Sequence, residues 1–272
     1  MIELFELHRA WRAAHIALGF LGLVLFWVPL VATKGSRTHV LSGRLFAICA
    51  YLVAGTGLLS SVWGVVDPSS FLESTRGDSS PIEPKPRNLE DIRFIFSITG
   101  FLSLAVLTGL TLGIGVMRAG ERHESLRSPW LLSLTAAVGV WAAGLAIYGA
   151  TSLATGYAGW HFLAPSESNR YWINLSLGVF GVWGTIGDLA YLRGPCPPRL
   201  ERWTMHVQCM VGAGAGFYAA FFLFGASRLI GLSGIGVVLA ALAPLVIASF
   251  VVKRVVRAEA RRESGRALDA PS

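Results

Sequence analysis

Long apolar runs, separated by short polar links, constrain this chain more than any other feature. A helix needs about 20 residues to cross a hydrocarbon core about 30 Å thick, and run after run here reaches that length. Of 272 residues, 53% are hydrophobic and 14% charged, against roughly 25% charged in an ordinary soluble domain. Such a chain lacks the polar surface to face water on all sides. The expected fold is all-α: a polytopic transmembrane helical bundle in one unit, with about seven spans at residues 13–32, 39–66, 92–117, 128–155, 172–192, 203–225 and 229–252.

The pieces between the runs complete the outline. The opening segment MIELFELHRAWRAAH mixes charges with aromatic residues and reads as a short interfacial helix before the first span. Position 30, two before Ala32, is leucine rather than a small residue, so the first run reads as a retained helix, not a cleaved signal. The stretch DPSSFLESTRGDSSPIEPKPRNLED, with Pro81, Pro84 and Pro86, is expected to be a long polar loop. Pro244 is expected to kink the seventh span. Residues 253–272 form a basic tail, helical in pattern and then frayed.

Most of the 23 lysines and arginines fall on alternate links. Lys34, Arg37 and Arg44 flank the first, Arg118, Arg122 and Arg127 the third, Arg193, Arg199 and Arg202 the fifth, and the rest of this set follows Lys253. The positive-inside rule then places the C-terminus in the cytoplasm and the N-terminus outside, in the cell's inner (plasma) membrane. Trp11, Trp63, Trp130, Trp160, Trp172 and Trp203 stand near span ends, as an aromatic belt requires. The net charge of +7 is accounted for by these links and the tail. Anionic lipid headgroups are therefore the expected partner, and nucleic acid is not. Cys49, Cys196 and Cys209 show no CxxC spacing, which argues against a thiolate metal box or a disulfide framework.

Ionisable groups inside a bilayer are costly, and each is a functional candidate. His39 and Arg44 open the second span from the cytoplasmic side, His206 lies about one turn into the sixth, and Asp188 about one turn before the end of the fifth. In the expected topology all four share one depth. His39 and His206 could be the axial metal ligands of a b-type haem, with Arg44 neutralising a propionate and Asp188 holding a ligand's ring N–H. The competing reading makes the histidines interfacial residues, with Asp188 and Arg44 a structural ion pair. His15, one turn into the first span, is a second candidate cofactor-binding residue, for haem, quinone or metal, with His8 and His161 in flanking segments. His123, in a charged link, is expected to be solvent-exposed.

The glycine rows Gly178, Gly181, Gly184 and Gly187, and Gly212, Gly214 and Gly216, are expected to mediate close helix packing, Gly212 and Gly216 fitting a GxxxG pattern. No nucleophile–base pair, P-loop or HExxH motif is present, so hydrolase and ATPase chemistry has no support.

The chain also resembles a family of uncharacterised bacterial predicted membrane proteins. Their hallmark is a cytoplasmic turn reading roughly H-R-x-x-G-R and a later span opening H-x-x-x-M before small residues and an A-F pair. His39, Gly43 and Arg44 match the first pattern at its spacing, and Val40 stands where arginine belongs. His206, Met210, Gly212, Ala213, Ala220 and Phe221 match the second. A weaker likeness connects the layout to membrane cytochromes b, whose regular histidine spacing within a helix is missing. The resemblance implies a membrane topology and marks His39 and His206, without naming a reaction. Three functions are thus expected to compete: haem-based electron transfer, with or without a quinone link; small-solute or proton-coupled transport; and a non-catalytic membrane subunit docking a partner protein or a second copy.

Overall fold

A computed structural model describes residues 2–74, 89–155, 168–226 and 235–268. Among these residues there are eight α-helices and no strand. They are α1 (Ile2–Val31), α2 (Arg37–Val66), α3 (Pro68–Ser74), α4 (Leu89–Ala119), α5 (Pro129–Thr155), α6 (Ser168–Arg193), α7 (Arg199–Ala220) and α8 (Ile235–Leu268). A 3₁₀ turn, His123–Leu126, lies between α4 and α5, and a π-helical segment, Phe221–Ala226, follows α7. Six helices are long and apolar enough to cross a membrane: Glu6–Val31, Arg37–Val66, Ile92–Ala119, Pro129–Ala154, Tyr171–Arg193 and Arg199–Gly225. Many large apolar side chains on them point outward, including Phe180 at 74% and Trp183 at 79% exposure. An apolar exterior of this extent suits lipid rather than water.

The chain divides into two compact units, residues 1–107 with 136–185, and residues 108–135 with 186–272. The division falls inside α4, α5 and α6.

In the first unit α1 and α2 form an antiparallel hairpin. Gly35 makes the turn with φ at +78°, a conformation open to glycine, and the Ser36 hydroxyl caps α2 by accepting from the His39 amide at 3.2 Å. Buried α2 positions are small at alternating spacings of three and four: Ala50, Ala54, Gly57, Ser61 and Gly64. Small residues let helix backbones approach where no hydrophobic effect drives association. The same device joins α5 to α6. A Cβ on Gly149 would lie 2.6 Å from the Leu175 nitrogen, one on Gly139 2.7 Å from Thr185 Cγ2, and one on Gly178 would collide with the Ala146 backbone.

Two local expectations are corrected here. The interfacial segment and first span are one uninterrupted helix, α1, because residues 2–15 are good helix formers supported by the Glu6–Arg9 pair at 2.8 Å. The long loop begins with helix α3, since Pro68 occupies the first helical position, where no N–H is needed. Asp67 caps it, accepting from Ser69 Oγ at 2.7 Å and Ser70 N at 3.1 Å. Pro81, Pro84 and Pro86 lie outside the described residues. Helix α8 continues through Lys253 to Leu268, so the described part of the basic tail is helical.

In the second unit a core of Leu112, Val116, Leu126, Leu131, Leu192 and Met205 joins the ends of α4 and α6 to α5 and α7. Here α7 lies against α4 at glycines: a Cβ on Gly113 would stand 2.8 Å from Cys209 Cβ and 3.5 Å from Met210 Sδ. Helix α8 runs beside α7 and its π segment.

Candidate functional site

The end of α1 determines the setting of His39. The last carbonyls of a helix have no intrahelical donor. Pro29 O accepts from His39 Nδ1 at 2.9 Å and from Lys34 Nζ at 3.0 Å, and Leu30 O accepts from Lys34 Nζ at 2.9 Å. Partial burial pushes the Lys34 ammonium below its ordinary pKa. Because a carbonyl only accepts, Nδ1 carries the proton and Nε2 is the lone-pair nitrogen of His39. Arg44, further along α2, is exposed.

His15 sits deeper in the same unit. Its Nδ1 lies 2.8 Å from Thr56 Oγ1. The threonine hydroxyl proton goes to the Leu52 carbonyl at 2.8 Å, so its oxygen accepts from His15 Nδ1. A Cβ on Gly57 would meet Ser103 Oγ at 2.7 Å and His15 Cε1 at 3.7 Å, which places Ser103 of α4 beside this pair. His8, two turns earlier on α1, is packed edge-on against Phe71 and Trp63, with ring centroids 5.3 and 6.0 Å away. Those contacts account for His8 as a packing residue. His161 lies outside the described residues.

In the second unit, His206 Nδ1 donates to Gly113 O of α4 at 2.8 Å, so Nε2 is again the lone-pair nitrogen. Cys209 follows three residues later on the same face of α7, over the same glycine. Asp188, His206 and Cys209 thus bring three chemistry-bearing side chains from α6 and α7 into one unit. His39, Arg44 and His15 belong to the other.

His123 departs most sharply from expectation. It is 2% exposed rather than solvated. Its Nε2 donates to Tyr191 O at 3.0 Å, and its ring stacks edge-on with Tyr191 at 5.1 Å. Arg127 continues the pattern with Nε to Leu192 O at 3.0 Å and Nη2 to Arg193 O at 3.3 Å and Gly194 O at 2.8 Å. The link between α4 and α5 therefore supplies donors to four successive carbonyls at the end of α6. A charged link suggests a solvated one; only the neighbouring unpaired helix end reveals the buried role.

The glycine rows divide. Gly178 and Gly181 are packed as expected, Gly181 against Phe101 and Ala142. Among the described residues, Gly184, Gly187 and Gly212 have open space where a side chain would stand, so Gly212 mediates no close packing there. The working GxxxG pair of α7's contact is Gly109 and Gly113 on α4, legible in the sequence by the same spacing rule.

Among the described residues, no three His, Cys, Asp or Glu side chains gather as a metal site. No protein family, curated protein or solved structure matches the chain.

Proposed function

We propose that this chain is an integral, multi-pass protein of the cell's inner membrane that couples proton movement to passage of a small solute. In this reading Asp188 carries the proton, with His206 as its neighbour. The observation behind it is the Asp188 carboxyl inside the apolar α6 span, in the same compact unit as His206. An ionised carboxylate in a bilayer costs several kcal/mol unless paired. A group in that position favours taking up and releasing a proton over holding a fixed charge. The apolar first half of α8 supplies a seventh span, and the basic links put the C-terminus in the cytoplasm. The test uses proteoliposomes loaded with a pH-sensitive dye and challenged with a panel of small solutes. Solute-dependent acidification of the lumen should disappear in Asp188→Asn and persist in Asp188→Glu. No proton movement with any solute in the wild type, or full activity in Asp188→Asn, would overturn the reading.

A second reading, haem b binding, is favoured by a separate observation. His39 and His206 each donate from Nδ1 to a backbone carbonyl, at 2.9 and 2.8 Å. An iron-ligating histidine uses this arrangement, which fixes the ring and presents Nε2. Haem b would supply a reversible one-electron couple; His39, with Arg44 of the same unit as candidate partner of a propionate, and His206 in the other unit are each a candidate ligand taken by itself. A reduced-minus-oxidised visible spectrum of the purified protein decides it. A sharp band lost in His206→Ala or His39→Ala supports ligation, and a featureless spectrum from folded protein made with ample haem removes it.

A further inference from the structure

The start of α2 carries a shallow, open groove along one face of the helix, lined by Arg37, Thr38, Leu41, Ser42 and Leu45. These positions follow one helical face, polar at the first turn and apolar below it. Ser42 is buried, with its hydroxyl donating to Thr38 O at 2.6 Å, so the polar end of the groove is left to Arg37 and Thr38. The apolar wall continues as an exposed stripe: Leu41 54%, Leu45 43%, Ile48 55% and Leu52 49%. From Leu41 to Leu52 that stripe measures about 17 Å along the helix, close to one leaflet of a hydrocarbon core about 30 Å thick. Between Thr33 and Val66 there is no aspartate or glutamate, while Lys34, Arg37 and Arg44 are all cationic. Lys34 is engaged with the end of α1; Arg37 and Arg44 are exposed, seven residues apart on the groove's side of the helix.

A cationic, hydroxyl-bearing head above a leaflet-long apolar stripe complements one class of molecule. We infer that this groove binds an anionic phospholipid, with the phosphate against Arg37 and Thr38 and one acyl chain along Leu41, Leu45, Ile48 and Leu52. The inference rests on the reading of α2 as a membrane span and is independent of the chemistry at Asp188. A headgroup held here would fix the depth of the α1–α2 turn, and with it His39, relative to the bilayer surface.

The experiment is native mass spectrometry of the full chain in detergent, titrated with phosphatidylglycerol or phosphatidylcholine. The wild type should retain one phosphatidylglycerol in preference to phosphatidylcholine. Arg37→Gln should bind it roughly fivefold more weakly, the scale of one basic residue at an anionic surface. Leu45→Trp, which fills the groove while leaving Arg37 in place, should weaken it as well, and Arg254→Gln, in the basic C-terminal helix, should not. Equal retention of the two lipids, wild-type binding in both groove variants, or an equal loss in Arg254→Gln would overturn the inference. Alkaline extraction of membranes separates the two possible failures. A chain released by alkali removes the span reading itself, whereas a chain that stays in the membrane without lipid preference removes only the groove.

Discussion

The last turn of α6 leaves its carbonyls without donors from within the helix, and His123 and Arg127 reach them from another link. Hydrogen bonds from a charged donor contribute about 1.5–3 kcal/mol each when well placed, and less where water competes. Arg127→Ala should therefore destabilise the protein by about 2 kcal/mol, read as a lower unfolding temperature in detergent. Arg127→Lys should fall between, because an ammonium cannot span the arc of carbonyls that the guanidinium fork covers. Asp67 offers a pH-dependent counterpart at the start of α3. The Ser69 hydroxyl and Ser70 amide hold its carboxyl below the ordinary carboxylate range. With the folded value below the unfolded one, its stabilising effect is complete above the ordinary range and lost as pH falls through the lowered folded value. Amide hydrogen exchange in α3 should speed up over that acidic window beyond the intrinsic pH trend, and Asp67→Asn should abolish the extra dependence; an unchanged profile in the variant would refute the cap. The sequence marks His39, His206 and Asp188 as unusual because they interrupt apolar runs. It cannot mark His123 or Arg127, since their meaning depends on a helix end more than sixty residues away.

At the scale of elements, helix existence was readable because apolar runs of span length have few other folds, whereas contact faces required the third dimension. Gly178 and Gly184 stand in one sequence row, yet the first abuts the Ala146 backbone and the second faces open space. A period of three drifts around a helix of 3.6 residues per turn, so such a row cannot stay on one face. Gly178→Ala should thus part α5 from α6 and destabilise the protein, by roughly 1–3 kcal/mol on the scale of overpacking. Gly184→Ala should be neutral or stabilising by up to about 1 kcal/mol, from helix propensity alone. Thermal unfolding of the two variants beside the wild type provides the comparison, and equal effects would contradict the assigned face. Helix α3 shows the complementary limit: proline and serine read as breakers until Pro68 is seen at the first helical position, beside the Asp67 cap.

For the whole molecule, the number of spans and the side on which each link lies are one question. An even count returns both termini to the same side, and an odd count separates them. Among the described residues six helices have the required length and apolarity, so the proposed seventh span decides whether the termini are parted. Its sequence begins Ile235-Gly-Val-Val-Leu, and the same helix continues into Lys253 and Arg254, a basic stop at the end of an apolar run. In the proposed orientation the link between α6 and α7 is cytoplasmic. That link holds Cys196, which is exposed, while Cys49 is buried and Cys209 lies within α7. A Cys49→Ala, Cys209→Ala variant leaves Cys196 as the single thiol. A membrane-impermeant maleimide should label it in inverted vesicles and fail to label it in intact spheroplasts, and a C-terminal tag should be open to protease from the same side as Cys196, with an N-terminal tag open from the other. Both tags on one side would remove α8 as a span. Labelling of Cys196 from outside would invert every link at once, because one continuous chain of spans allows no link to change sides alone.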